Sequence, residues 1–183
     1  DVIMRTYELI EKCTKEIAGQ EKEMREEALN VIIMESKKKA FDGWHNWRYD
    51  LLKCGICLCD EKGAKKMEKV MDTLLNNYEK DSCFNYIKED DLMVRYLLHR
   101  HLRGKEATRK ELYDNIKVKE FRLIAIEDAM QKNDYKEAER LCIGRAKSEE
   151  IYYRRNNPED WNNLLFHIYE AAGNKNKMIK QAK

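Results

Sequence analysis

Residues 121–147 read FRLIAIEDAMQKNDYKEAERLCIGRAK, residues 161–183 read WNNLLFHIYEAAGNKNKMIKQAK, and these two segments decide the fold. They resemble each other at an offset of 40 residues, with Phe121 matching Trp161 and Asn133-Asp134 matching Gly173-Asn174. In each segment a helix-long apolar pattern ends at a small polar pair, and a second helical pattern follows. Such a repetition predicts helical hairpins that stack on each other.

The composition of the whole chain agrees with a helical fold. Its 183 residues include one proline and seven glycines, and 38% of them are charged. Few breakers, many charges and a 3.6-residue apolar period predict an all-α protein. The period is irregular, because Gly104 to Asn133 spans 29 residues and Asn133 to Gly173 spans 40, so a strict tetratricopeptide array is not expected.

The sequence therefore predicts an all-α array of antiparallel helical hairpins, a tetratricopeptide-like α-solenoid of about 8–10 helices. Residues 1–183 are expected to form one helical-repeat domain, with a division between 1–82 and 83–183 as the alternative. Because the chain starts with Asp1, we expect it to be a fragment of a larger protein. No apolar run is long enough to span a membrane and no signal peptide is visible, and the scattered cysteines suggest a cytoplasmic protein with reduced thiols.

Apolar spacing predicts which helical faces point inward in the first 60 residues. A first helix is expected over 2–18, a second over 20–41 and a third over 44–58. Their predicted inward residues are Ile3, Tyr7, Ile10, Thr14 and Ile17; Met24, Ala28, Val31 and Ile32; and Trp44, Trp47, Leu51, Cys54 and Leu58. A core position for Trp47 implies that Trp47→Ala costs about 3–5 kcal/mol.

Three stretches, WRYDLL at 47–52 and the two C-terminal segments, are similar to the helical region that follows the zinc finger in bacterial SWIM-type zinc-finger proteins. The resemblance covers residues 44–183, and NDYKEAERL also resembles a tetratricopeptide turn and helix. The family motif is Cys-x-Cys followed by Cys-x-His. Cys57-Leu58-Cys59 matches its first half, but neither Cys83 nor Cys142 is followed by histidine at the required spacing. The resemblance implies an interaction or nucleic-acid-associated role without the zinc finger.

The cluster Cys54-x-x-Cys57-x-Cys59, with His45 nearby, is the most chemically suggestive feature. On one helix over 44–58, His45 and Cys59 would lie about 21 Å apart along the axis, and Cys57 and Cys59 would point apart. We therefore expect buried free cysteines and no metal, the alternative being a zinc site with Cys83 as a third ligand. No nucleophile–histidine–acid set and no glycine-rich phosphate loop is visible, so neither an enzyme nor a cofactor is predicted.

The segment Tyr152, Tyr153, Arg154 and Arg155 is predicted to bind a protein or peptide partner, because Tyr and Arg are enriched at interaction hot spots. Its alternative role is to extend the preceding helix and pack on a neighbour. The predicted function is a non-catalytic helical-repeat scaffold for protein–protein interaction. The alternative is nucleic-acid binding, which the net charge of +2 does not favour, through Lys37, Lys38, Lys39, Arg100, Arg103, Arg145, Arg154 and Arg155.

Overall fold

The computed structural model of the chain describes residues 2–78, 83–144 and 159–181, and these ranges contain helices and turns but no strand. The all-α prediction is therefore confirmed. The predicted partner segment Tyr152–Arg155 lies outside the described residues. The ten α-helices of these ranges are α1 Val2–Ala18, α2 Lys22–Ser36, α3 His45–Cys54, α4 Glu61–Asn77, α5 Phe84–Arg103, α6 Arg109–Asp114, α7 Lys119–Gln131, α8 Tyr135–Ile143, α9 Glu159–Ala171 and α10 Lys175–Gln181.

Two compact units divide the chain, residues 1–109 and residues 110–183. The alternative division considered from the sequence falls between residues 82 and 83, ahead of α5. Because α5 packs on α3 and α4, it belongs to the first unit. None of the described helices combines the length and the apolarity needed to cross a bilayer.

In the first unit, α1 is correctly predicted in both its bounds and its inward face. Ile3, Tyr7, Ile10 and Ile17 are partly buried and Thr14 is fully buried. The helix packs on α2, on α3 and on the short 3₁₀ turn Ile56–Leu58. Its single apolar stripe leaves no other face to bury, which is why the periodicity identified it.

The predicted bounds of the second and third helices are too long. α2 ends at Ser36 and is followed by the 3₁₀ turn Lys39–Phe41, and α3 ends at Cys54, where Gly55 leads into the next turn. Trp44 precedes α3 and is 52% exposed, so its predicted core position is wrong. Trp47 is only partly buried, and its ring stacks on that of Trp44 with centroids 4.2 Å apart.

The core of the first unit lies where α2, α3, α4 and α5 meet. α3 contributes two core residues outside its predicted inward stripe, Tyr49 and Leu52, which are both 0% exposed. The Tyr49 hydroxyl donates to Asp91 Oδ1 at 3.4 Å, and Arg95 Nε donates to Asp91 Oδ2 at 2.7 Å. Asp91 is therefore a buried acceptor inside α5, which starts at Phe84, and not the cap that its position after Asp90 suggests.

In the second unit, α7 packs on α8, α8 on α9 and α9 on α10. The turns after α7 and α9 share the same geometry. Asn133 and Gly173 both have a positive φ, of 58° and 66°. Asp134 N–H donates to the Ala129 carbonyl and Asn174 N–H to the Tyr169 carbonyl, both at 2.9 Å. The 40-residue correspondence in the sequence thus identified two turns of one kind.

Candidate docking groove between α2 and α4

The cysteine cluster does not form a ligand set. The thiols of Cys54, Cys57 and Cys59 point to the carbonyl oxygens of three different residues, Tyr7, Cys54 and Gly55, at 3.9, 3.7 and 3.5 Å. Burial raises the pKa of Cys54 to about 11 and that of Cys59 to about 12. Both thiols are therefore protonated at neutral pH.

The rest of residues 2–78, 83–144 and 159–181 also lacks a set of metal ligands. No group of three or more His, Cys, Asp and Glu side chains in these ranges could hold an ion. His45, which the sequence placed beside the cysteines, instead packs its ring edge-on against Tyr78, with centroids 4.4 Å apart. These side chains are thus part of the packing between α3 and the end of α4.

An open groove lies between α2 and α4 in the first unit. It contains about 1040 Å³ of space continuous with solvent. Its floor is aliphatic and its rim is polar and basic. The floor residues Ile33, Val70 and Leu74 are each 6–8% exposed, and the remaining lining residues are Asn30, Lys37, Lys66, Lys69, Thr73 and Asn77.

Close helix contact defines one end of the groove. A Cβ atom on Gly63 would lie only 2.7 Å from Leu29 Cδ2, so the glycine lets α4 approach α2 there. Asp60 caps α4 by accepting from Lys62 N–H and Gly63 N–H at 3.0 and 2.8 Å. Lys66 Nζ then donates to Asn30 Oδ1 at 3.2 Å, which joins the two rims at this end.

Arg48 on α3 defines the other end. Its guanidinium donates to the Lys38 carbonyl just after α2 at 3.1 Å and to the Tyr78 hydroxyl just after α4. Asp42 Oδ1 accepts a third bond at 2.9 Å. The side chain is 3% exposed, so this bond set is buried between the helix ends. Since both helices run from the Leu29–Gly63 contact towards Arg48, α2 and α4 point in the same direction.

All the charged residues that line the groove are basic. Lys37, Lys66 and Lys69 line it, and no Asp or Glu is among the lining residues. None of the three lysines forms an ion pair with a residue that the structure describes. The acids of α4 that could compensate them are used on its other side, where Glu68 contacts His99 and Asp72 contacts Arg95.

α2 also exposes an apolar lip formed by Met24, Val31 and Met34, none of which is among the residues that line the groove. These side chains are 49%, 49% and 57% exposed. The sequence placed Met24 and Val31 in the core, and that prediction is wrong, whereas the predicted inward residues Ala28 and Ile32 do pack against the core. α2 has two apolar stripes, and the one that packs inward is Leu29, Ile32, Ile33 and Ser36. Met24, Val31 and Met34 therefore remain exposed on a second stripe of α2.

The basic residues that the sequence grouped for nucleic acid have different surroundings in the described part of the chain. Lys37 lines the groove, whereas Lys38 pairs with Glu35 at 2.7 Å and Arg100 donates to the Tyr96 hydroxyl at 2.7 Å. Arg145, Arg154 and Arg155 lie outside the described residues. The lysines of α4 that do line the groove, Lys66 and Lys69, were not in the predicted set.

Local patterns could have suggested only part of this site. Lys66 and Lys69 are three residues apart on one helix, which places them on one side of α4. Nothing in the sequence connects them with Lys37, because that relation depends on the pairing of α2 with α4.

Compared with protein-family models, with curated proteins and with solved structures, the chain matches none of them. The resemblance to SWIM-type proteins stays an expectation based on the quoted residues.

Proposed function

We propose that the chain is a non-catalytic helical-repeat scaffold that mediates protein–protein interaction, with the α2–α4 groove as its docking surface. The observation that supports this most is the exposed apolar lip of Met24, Val31 and Met34 on α2, the helix that also forms one rim of the groove. Exposed apolar patches of this kind, rimmed by polar groups, mark interaction sites. Methionine is suited to such a role because its flexible thioether adapts to different partners.

Burial of the lip side chains by a partner contributes a modest favourable free energy. Full burial of a Val or Met side chain contributes about 1.5–3 kcal/mol. The lip side chains are roughly half exposed, so covering each would contribute about 1 kcal/mol before the entropy loss of association. Contact with the floor adds little, because its three residues are only 6–8% exposed already. The groove is also too open to enclose a small molecule on most sides, as ligand pockets usually do.

The proposal includes the arrangement of the helices. We propose that the helices are arranged as antiparallel hairpins of a tetratricopeptide-like α-solenoid, similar to the helical region of SWIM-type proteins. The shared geometry of the turns at Asn133 and Gly173 supports this arrangement. We also propose a cytoplasmic location, supported by six cysteines that are all free thiols.

A pair of matched threonine variants tests the docking surface. Thr73 lines the groove, and its hydroxyl donates to the Lys69 carbonyl four residues earlier at 3.0 Å. Thr6 on α1 makes the same bond to the Val2 carbonyl at 2.9 Å, and both threonines are exposed. Thr73→Tyr should therefore fill the groove, while Thr6→Tyr adds the same bulk to an unrelated helix surface.

The measurement compares proteins captured from a lysate by the original chain and by each variant, after thermal melting confirms that all are folded. We expect a set of partners that the Thr6→Tyr variant retains and the Thr73→Tyr variant loses. Equal recovery with both variants would show that the groove is not the docking surface. A Tyr153→Ala/Arg154→Ala/Arg155→Ala variant in the same experiment tests the other predicted segment.

A further inference from the structure

We propose that the groove binds an acidic amphipathic helix of about three turns from a partner protein. This inference rests on the proposed docking function and specifies the chemistry of the partner. It starts from the dimensions of the groove. The lining residues of α4 run from Lys66 to Asn77 and those of α2 from Asn30 to Lys37. At 1.5 Å per residue, these stretches are about 16 Å and about 10 Å long.

The shape favours a helix as the occupant. The two rims are α-helices that run in the same direction, and their backbone groups are already bonded within each helix. An extended peptide gains its affinity from main-chain bonds to an open sheet edge, and the described residues contain no strand. A helix can instead place an apolar stripe on the floor of Ile33, Val70 and Leu74, with anchors about three to four residues apart.

The positive charges that line the groove favour an acidic helix as the partner. Lys37 lies on the α2 rim, and Lys66 and Lys69 lie on the α4 rim. A helix lying on the floor would therefore meet ammonium groups on both of its flanks. Glutamates on those flanks would gain three attractive contacts, and lysines there would meet three like charges. The long lysine stems can cover the sides of the bound helix while their ammonium groups reach the partner carboxylates.

Nucleic acid fits the same groove less well. Its floor is aliphatic, and none of its lining residues is aromatic. Single-stranded nucleic acids are bound through base stacking on aromatic side chains in addition to phosphate contacts. The stacked aromatic pair Trp44 and Trp47 is not among the residues that line the groove. The lysines are therefore better explained by carboxylates that flank an apolar stripe.

A display library of 14-residue amphipathic helices would test the inference directly. Each member would carry leucines at anchor positions and either Glu, Lys or Gln at the flanking positions. Selection on the original chain should enrich Glu at the flanks. Selection on a Lys66→Glu/Lys69→Glu variant should enrich Lys instead. A Lys12→Glu/Lys88→Glu variant has the same net charge, changes exposed lysines on α1 and α5, and should still enrich Glu.

Fluorescence anisotropy with the selected acidic peptide then measures the strength of the effect. We expect Lys66→Glu/Lys69→Glu to weaken binding about tenfold or more, and salt to weaken binding to the original chain. If the charge reversal unfolds the protein by circular dichroism, Lys66→Gln/Lys69→Gln should still weaken binding, by a smaller factor. Thr73→Tyr should abolish binding, while Thr6→Tyr should leave it unchanged.

Several outcomes would overturn the inference. Enrichment of Lys or Gln at the flanks, with binding still lost in Thr73→Tyr, would refute the acidic partner while the docking function stands. A library with no binder sensitive to Thr73→Tyr would refute both. Tighter binding of a 14-nucleotide single-stranded DNA, lost on Lys66→Glu/Lys69→Glu, would replace the helix with nucleic acid. Concentration-dependent dimerisation lost in the same variant would replace it with a second copy of this chain.

Discussion

Arg48 is the residue whose removal tests the packing around the groove most directly. It is 3% exposed and donates to three acceptors, the Lys38 carbonyl, Asp42 and the Tyr78 hydroxyl. Its guanidinium also lies 5.9 Å from the centroid of the Phe41 ring and 5.6 Å from that of Tyr78. Substitution by alanine should free the C-terminal ends of α2 and α4 from each other and destabilise the first unit.

The expected size of this effect follows from the contacts. Alanine removes two buried methylenes, worth about 0.8 kcal/mol each. The bonds to Lys38 and Tyr78 contribute about 1.5 kcal/mol each, and the bond to the 61% exposed Asp42 contributes less than about 1 kcal/mol. Part of this is offset, because the buried Nε has no hydrogen-bond partner and its desolvation penalty disappears. We expect Arg48→Ala to cost about 3 kcal/mol.

Arg48→Met separates packing from hydrogen bonding. Methionine restores the buried stem and carries no charge, so we expect a loss of only about 1.5 kcal/mol. Urea unfolding followed by tryptophan fluorescence measures both values. A Trp161→Phe background makes the signal specific for the first unit, because Trp44 and Trp47 then remain as the only tryptophans. A loss below about 1 kcal/mol for Arg48→Ala, or equal losses for both variants, would refute the reasoning.

The remaining predictions concern thiols, a tryptophan and acid stability. Dithionitrobenzoate should label the exposed Cys13 and Cys83 quickly at pH 8, and the buried Cys54, Cys59 and Cys142 only on unfolding; one rate for all would contradict the burial. Protein purified without chelators should contain no stoichiometric zinc by elemental analysis. Trp47→Ala should cost about 2 kcal/mol in urea unfolding, below the loss for a fully buried tryptophan, because Trp47 is only partly buried; a loss above about 4 kcal/mol would speak against this. Bonds from Lys177 and Tyr169 hold the pKa of Glu139 below its usual value. The stability that Glu139 contributes is therefore complete above its unfolded pKa, near 4.3, and disappears as the pH falls through its lowered folded pKa. In thermal melting from pH 6 to pH 2, the original chain and Glu139→Gln should converge at the acid end, and a constant difference would be against this linkage.

Helices with one apolar stripe were predictable from the sequence, whereas buried polar side chains that bond to distant partners were not. α1 has a single stripe, so its bounds and inward face both follow from spacing. Asp91 resembles a capping residue in its local sequence, although α5 starts seven residues earlier, at Phe84. In the structure it accepts from Tyr49, which lies 42 residues earlier in the chain. Long-range pairing of this kind, like that of Arg48 with Tyr78, leaves no signal in local periodicity.

The turns of the second unit were predictable for a different reason. A left-handed residue followed by an N-capping side chain depends on two neighbouring positions only. Asn133 and Gly173 are residue types that tolerate positive φ, and Asp134 and Asn174 accept from N–H groups three residues later at 3.2 Å. The determinants are local, so an alignment of two sequence segments was enough to find them.

α2 shows why the candidate groove was only half visible in the sequence. Its residues Leu29, Ile32, Ile33 and Ser36 pack inward because their three- and four-residue spacing gives a continuous face for α3 and α4. The stripe of Met24, Val31 and Met34 has fewer side chains per turn and is interrupted by Glu27, which makes it too sparse for a core. Periodicity alone registers both stripes as apolar and cannot rank them. The docking function that we propose would use this exposed second stripe, while the inward stripe of α2 serves the fold of the protein itself.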